Sequence, residues 1–251
     1  MVAKRIIPCL DVRDGSTVKG INFNDITRVG DPVSMGIRYS EQGADELVYL
    51  DISATREGRS TFLNLVTQIA SNINIPFTVG GGISTIEHAA DLLKAGADKI
   101  SVNSAAVKSP SLISEIASKY GSQYIVVAID AKFDGEKWEV MTHGGTKSGG
   151  RELFDWVNEV QMRGVGEILL TSMNHDGTKE GYPVELFREL SSILTVPIIA
   201  SGGAGSASHI ADVLTEGRAD AALAASVFHY GTIKIADLKR ELFNQGIDIR
   251  L

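Results

Sequence analysis

The chain has 251 residues, 43 % of them hydrophobic, one cysteine (Cys9) and a formal net charge of −7. A lone thiol excludes an internal disulfide and suits a reducing, cytoplasmic setting, and the acidic balance argues against a nucleic-acid partner, whose phosphates call for a basic face. No apolar run approaches the ~20 residues of a membrane span, and residues 1–10 lack the apolar core of a signal peptide, so no membrane association is expected.

In chain order, one unit recurs. A short β-branched or apolar run ends in a small or acidic residue, and a helical stretch follows. Strand 5–11 leads to helix 32–42, strand 46–51 to 60–72, strand 77–81 to 85–95, and strand 99–103 to 110–120. Strand 124–130 then leads to helix 152–163, strand 167–172 to 183–194, strand 198–201 to 207–216, and strand 221–226 to 234–244. Asp31-Pro32 and Ser109-Pro110 read as helix starts, each pairing a capping side chain with proline in the first turn. Gln42-Gly43, Ala95-Gly96, Arg163-Gly164 and Glu216-Gly217 read as helix stops with glycine at the C-terminal cap. Strands alternating with helices imply a parallel sheet, and eight such units imply closure into a (β/α)₈ barrel over residues 1–251, a single domain.

The chain also repeats itself. Glu46, Pro76 and Gly82 recur 121 positions on as Glu167, Pro197 and Gly203. IPFTVGGGIST matches VPIIASGGAGS, and Asp11 at the end of strand one recurs as Asp130 at the end of strand five. The barrel is therefore expected to consist of two similar half-barrels.

In this fold the chemistry sits where the strands end. Asp11 and Asp130 stand on opposite sides of an eight-strand ring, a placement that suits a general acid and a general base if their environments separate their pKa values. Each on its own would pass for a turn cap. Gly82, after strand three, and Gly202-Gly203, after strand seven, let backbone N–H groups approach an oxyanion. Asn103-Ser104 and Ala225-Ser226 end strands four and eight, and Asp176-Gly177 adds a flexible loop beside the second site. A phosphate site built twice, half a barrel apart, implies a small-molecule substrate carrying a phosphate at each end. Gly145-Thr146-Lys147-Ser148 lacks the glycine that a P-loop places before its lysine. The histidines fall at no ligand spacing, so neither a metal nor a cofactor is expected.

Inward alternation from Asp11 brings Cys9, Ile7 and Arg5 to one side of strand one, with Arg5 roughly 20 Å below the mouth at ~3.3 Å per residue. Glu46, Lys99 and Glu167 begin strands two, four and six. Two acids and two bases are thus expected to ring the barrel's bottom, with Thr78, Ser101 and Ser201 as small polar walls above; on that face such a ring ordinarily reads as a stabilising salt-bridge plug. Pro8 is anomalous in a strand, having no N–H to give to a ladder.

The segments IPCLDV, VKG, FTVGGGI, VNSAAV, VVAIDAK, GEILLTSM, DGTKEGY, IIASGGAG and AALAASVFH resemble the cyclase subunit of imidazole glycerol phosphate synthase, and the resemblance runs from residue 3 to 251. It implies that ammonia from a glutaminase partner closes an imidazole ring on a bisphosphorylated ribulosyl aminoimidazole-carboxamide nucleotide. The products would be imidazole glycerol phosphate and an aminoimidazole-carboxamide ribotide, in histidine biosynthesis. It further implies that Asp11 and Asp130 are the catalytic pair and that Lys19, in the first loop, helps close the site. Arg5, Glu46, Lys99 and Glu167 become an ammonia gate, with the partner docked on the N-terminal face near Asp98. His175 stands where other members carry Arg or Gln. Two rivals remain: the barrel isomerase one step earlier in the pathway, which needs no ammonia, and a non-catalytic phosphosugar-binding scaffold.

Overall fold

A computed structural model describes residues 3–21, 24–52 and 63–251. Along the first half run β1 (Arg5–Arg13), β2 (Ser16–Ile21), β3 (Asn24–Gly30), α1 (Pro32–Glu41), β4 (Leu47–Asp51), α2 (Leu63–Ala70), β5 (Phe77–Gly80), α3 (Ile86–Lys94), β6 (Lys99–Val102), α4 (Ser104–Lys108) and α5 (Ser111–Tyr120). The second half comprises β7 (Ile125–Phe133), β8 (Trp138–Thr142), β9 (Lys147–Glu152), α6 (Leu153–Met162), β10 (Glu167–Ser172), α7 (Val184–Ile193), β11 (Ile198–Ser201), α8 (Ala207–Thr215), β12 (Ala221–Ala224), α9 (Ser226–His229) and α10 (Ile235–Asn244). Parallel pairing runs β1-β4-β5-β6-β7-β10-β11-β12, and β12 pairs back with β1, closing an eight-stranded barrel. Residues 60–62 of the helix expected at 60–72 lie outside the described residues.

Alternation divides the core. Ile7, Cys9, Val48, Val126, Leu169, Ile199 and Leu223 form one buried cluster inside the barrel, while a larger cluster packs strand backs against helices. The helices fit where small residues permit. A Cβ at Gly36, in α1, would lie 2.1 Å from the Tyr49 hydroxyl, which donates to the Pro32 carbonyl.

One joint is built four times, where a helix ends and the next strand begins. The chain turns through a left-handed residue, Gly43 (φ 87°), Gly96 (110°), Gly164 (85°) or Arg218 (58°). Two residues on, the N–H of Asp45, Asp98, Gly166 or Asp220 donates to the strand before, at Ile6, Phe77, Ile125 or Ile198. The three aspartates also accept that residue's own N–H, at 2.8, 3.0 and 2.9 Å. At the joint after α6, which has no aspartate, Ile125 donates instead to the Ser122 carbonyl, and glycine stands at 166 because a Cβ there would lie 2.0 Å from that oxygen.

Two capping expectations need correction. Gly217 does not take the left-handed position, which falls on Arg218; it is small because a Cβ would meet the Val213 carbonyl at 2.6 Å. Ser109 does not cap α5: Pro110 occupies the N-cap and the Ser109 hydroxyl pairs with that of Ser111. Asp31 does cap α1, accepting from the Ser34 amide at 2.8 Å. Pro8 also finds its reason. It is the last rung towards β12, and the ladder to β4 starts only at Cys9, so no rung is broken on that side.

Candidate active site

Asp11 and Asp130 occupy matching places. Each is inward-facing at the top of a barrel strand, at the first rung of an antiparallel hairpin that rises above the barrel. Asp11 pairs with Val18 of β2, and Asp130 with Met141 of β8. These hairpins are absent from the sequence reading. Their signals are Asp14-Gly15, both at positive φ (50° and 71°) as a type I′ turn requires, and Asp134-Gly135, where the Asp134 carboxylate accepts the amides of Glu136 and Lys137.

The Asp130 carboxylate accepts a hydrogen bond from the Asn103 amide, Nδ2 to Oδ2, at 2.9 Å. Burial pushes its pKa up to about 6; the Asn103 bond opposes that shift, and the charges of Asp176 and Asp11 add to it. Asp11 lies 4.0 Å, Oδ1 to Sγ, from Cys9, one layer below it on β1. Asp176 and Gly177 (φ 80°) sit in the loop after β10, where His175 bonds the Ser172 hydroxyl at 2.8 Å; burial lowers the His175 pKa. Lys19 falls in β2, and its side chain lies outside the described residues.

A carboxylate with a raised pKa costs the folded state energy once ionised. Asp130 ionises near 3.8 unfolded and near 6 folded, so the cost is absent below about pH 4, grows between, and is full above about pH 6. Asp130→Asn is therefore expected to stabilise the protein by about 1–3 kcal/mol at pH 7–8. Denaturant midpoints at pH 4 and pH 8 check this: the gain should shrink towards zero at pH 4.

The phosphate candidates also come in pairs. Asn103-Ser104 and Ala225-Ser226 do not end strands as expected. The strands stop at Val102 and Ala224, and each pair opens a short helix, α4 or α9. Asn103 (φ −130°, ψ −94°) and Ala225 (−121°, −74°) share a backbone conformation, so the two half-barrels repeat to this level. A short extra helix after a late strand is where barrels commonly seat a phosphate. The Ser104 hydroxyl accepts the His143 amide at 2.9 Å, tying the β8–β9 turn to α4. Gly82 has φ 65° and Gly202 φ 92°, while a Cβ on Gly203 (φ 112°) would lie 2.0 Å from the Gly181 carbonyl. Gly203 is thus required by loop packing whatever it binds, so a bulky substitution there is no clean probe of phosphate. The side chain of Asn103 turns to Asp130.

At the opposite end the four expected residues do come together. Arg5 reaches Glu46 at 2.8 Å and Glu167 at 2.5 Å, and Lys99 reaches each acid at 2.9 Å. Register explains the arrangement. Positions 46, 99, 167 and 221 are equivalent on alternate strands, and Ala221 leaves the fourth corner empty. Arg5, its rung partner, fills that corner. Burial disfavours the charges on Arg5 and Lys99, but the two acids outweigh it and hold both pKa values above their usual range. Burial likewise opposes the Glu46 charge, and the two cations override it and lower its pKa. Thr78 and Ser101 lie buried above Lys99, and Ser201 is buried below the mouth. The Asp98 carboxylate, expected at a docking face, accepts the Phe77 amide. Lys147 and Ser148 lie in a hairpin strand, which is not P-loop geometry.

Fold and site together define a (β/α)₈ barrel enzyme with its polar groups gathered at the two ends of the barrel. The profile of the histidine biosynthesis protein family matches residues 5–234. The imidazole glycerol phosphate synthase subunit HisF of Phocaeicola vulgatus is 58 % identical over 251 residues, that of Flavobacterium psychrophilum 57 % and that of Parabacteroides distasonis 55 %, in each case covering all of both chains. The chain belongs to this family, the cyclase subunit of imidazole glycerol phosphate synthase, an enzyme of histidine biosynthesis. Its relatives are named as subunits of a synthase, which implies a partner chain. Among the described residues no helix is long and apolar enough to cross a membrane.

Proposed function

We propose that residues 1–251 act as one barrel unit in the cytoplasm, joining ammonia to a bisphosphorylated ribulosyl aminoimidazole-carboxamide nucleotide. The products are imidazole glycerol phosphate and an aminoimidazole-carboxamide ribotide. Asp11 and Asp130 are the general acid–base pair. The observation that carries this reading is the Asp130 carboxylate, whose pKa of about 6 sits where a proton can be both taken and returned near neutral pH. The two phosphates of the substrate are seated at Gly82 with the start of α4, and at Gly202-Gly203 with the start of α9. Ser104, Ser226, Asp176 and Gly177 lie beside them, and Lys19 closes the first loop over the mouth.

The partner is a glutaminase docked on the N-terminal face, which delivers ammonia at the ring of Arg5, Glu46, Lys99 and Glu167. That ring disfavours the isomerase, whose reaction takes in no ammonia, and the raised pKa of Asp130 disfavours a mere scaffold. The test is turnover of the bisphosphate nucleotide with ammonium salt and no partner. Imidazole glycerol phosphate is the expected product. Isomerisation of the earlier pathway intermediate instead, or tight binding without turnover, overturns the reading.

A further inference from the structure

The inside of the barrel repeats in backbone but not in chemistry. Asn103 and Ala225 have nearly the same φ and ψ at the same place in the two halves, and only one of them carries an amide. Asparagine is a favoured N-cap residue, yet Asn103, at the N-cap of α4, makes no side-chain bond to that helix. Its Nδ2 goes to Asp130 at 2.9 Å, and its Oδ1 is buried with no hydrogen-bond partner. Giving up a cap and leaving an acceptor unfilled both cost stability. The amide is therefore held in place for the carboxylate and not for the helix.

We propose that Asn103 is the positioning residue that sets Asp130 apart from Asp11, holding Asp130 as the charged carboxylate that acts as the base. The inference rests on the reading of Asp11 and Asp130 as the acid–base pair. An amide N–H donates to a carboxylate oxygen and so favours the ionised form. With Oδ2 engaged, Oδ1 of Asp130 takes one proton from an N–H or O–H of the substrate, whose bonding pair stays on the substrate atom. Among the described residues, the charged groups that act on Asp130 are Asp176 from the loop after β10 and Asp11 from β1; both are negative and both favour protonation. Asn103 opposes them, and the equivalent position in the other half, Ala225, carries no side-chain donor.

The experiment pairs two readouts on the wild type, Asn103→Ala and Asn103→Gln. One is the carboxyl titration of Asp130, followed by ¹³C NMR and assigned with Asp130→Asn. The other is the pH profile of kcat/KM with ammonium as nitrogen source, which reports the free enzyme. In Asn103→Ala the Asp130 midpoint is expected to move up by about one pH unit, and the acid limb of kcat/KM to move with it. Turnover then falls most below pH 6 and returns towards wild type at pH 9. Asn103→Gln, which keeps the amide, should bring both part of the way back. An unmoved midpoint, or a loss of equal factor at every pH, overturns the proposal; so does movement of the alkaline limb, which would make Asp130 the acid. Should Asn103→Ala not fold, the Gln variant must still show a shifted midpoint, and an unshifted one overturns the proposal. A wild type that turns nothing over would defeat the proposed function, while the titration alone still decides what Asn103 does to Asp130.

Discussion

Asp11→Asn and Asp130→Asn are each expected to lower ammonium-dependent turnover by about 10²–10⁴-fold, the usual contribution of a positioned acid or base. Asparagine keeps the volume and one oxygen, so the barrel and both phosphate seats should survive, and binding of the bisphosphate nucleotide should change little. The two variants should differ in stability. Asp130→Asn relieves a carboxylate that burial and two like charges push towards protonation, and should gain stability above pH 6. Turnover lost while stability is gained would mark Asp130 as a residue kept for chemistry. The measurements are steady-state kinetics, nucleotide binding by calorimetry and denaturant midpoints on the same preparations. Near-normal turnover in either variant removes that aspartate from the mechanism.

The barrel was legible because its signals are local. Each strand is a short apolar run, and the helix stops at Gly43, Gly96 and Gly164 carry the glycine that a left-handed turn requires. The fourth stop misled because an inserted residue moves the left-handed position to Arg218, while Gly217 answers a close contact with Val213. The two hairpins were missed although Asp14-Gly15 and Asp134-Gly135 announced them. A two-residue turn is a weaker signal than the eightfold strand–helix repeat in which the first and fifth units are embedded. At the site, the aspartates could be placed by strand ends alone. The bond from Asn103 to Asp130 could not, because a strand–helix boundary one residue earlier than expected decides where that amide points. The bottom ring was legible from alternation, but the reason it needs Arg5 lies in register: Ala221 offers only a methyl group at the fourth corner, and pairing with β1 shows that Arg5 fills it.

Lys99→Ala should reduce glutamine-dependent turnover markedly and leave turnover at saturating ammonium nearly unchanged. Each acid in the ring holds one contact to Lys99 and one to Arg5. Removing Lys99 leaves two carboxylates sharing one guanidinium, and the Glu46 pKa, now held down by both cations, must rise. The side chains are about 6–20 % exposed, so the loss is smaller than for a fully buried pair, about 1–3 kcal/mol. A lower melting temperature is therefore expected whether the ring is a plug or a gate, and cannot separate them. Activities can. Asp11 stands six residues above Arg5, ~20 Å along the strand, too far for the ring to touch the reacting atoms. On the function proposed above, ammonium in bulk solution would enter at the mouth with the substrate and bypass the ring, whereas ammonia made by a partner docked on the N-terminal face would have to pass it. Lys99→Met gives the companion case: it keeps most of the stem while losing the charge. If an open corner matters, Ala alone lets ammonia escape and Met does not; if the charge matters, Ala and Met behave alike. Equal loss of glutamine- and ammonium-dependent turnover in both variants would leave the ring as a structural plug and take the gate away.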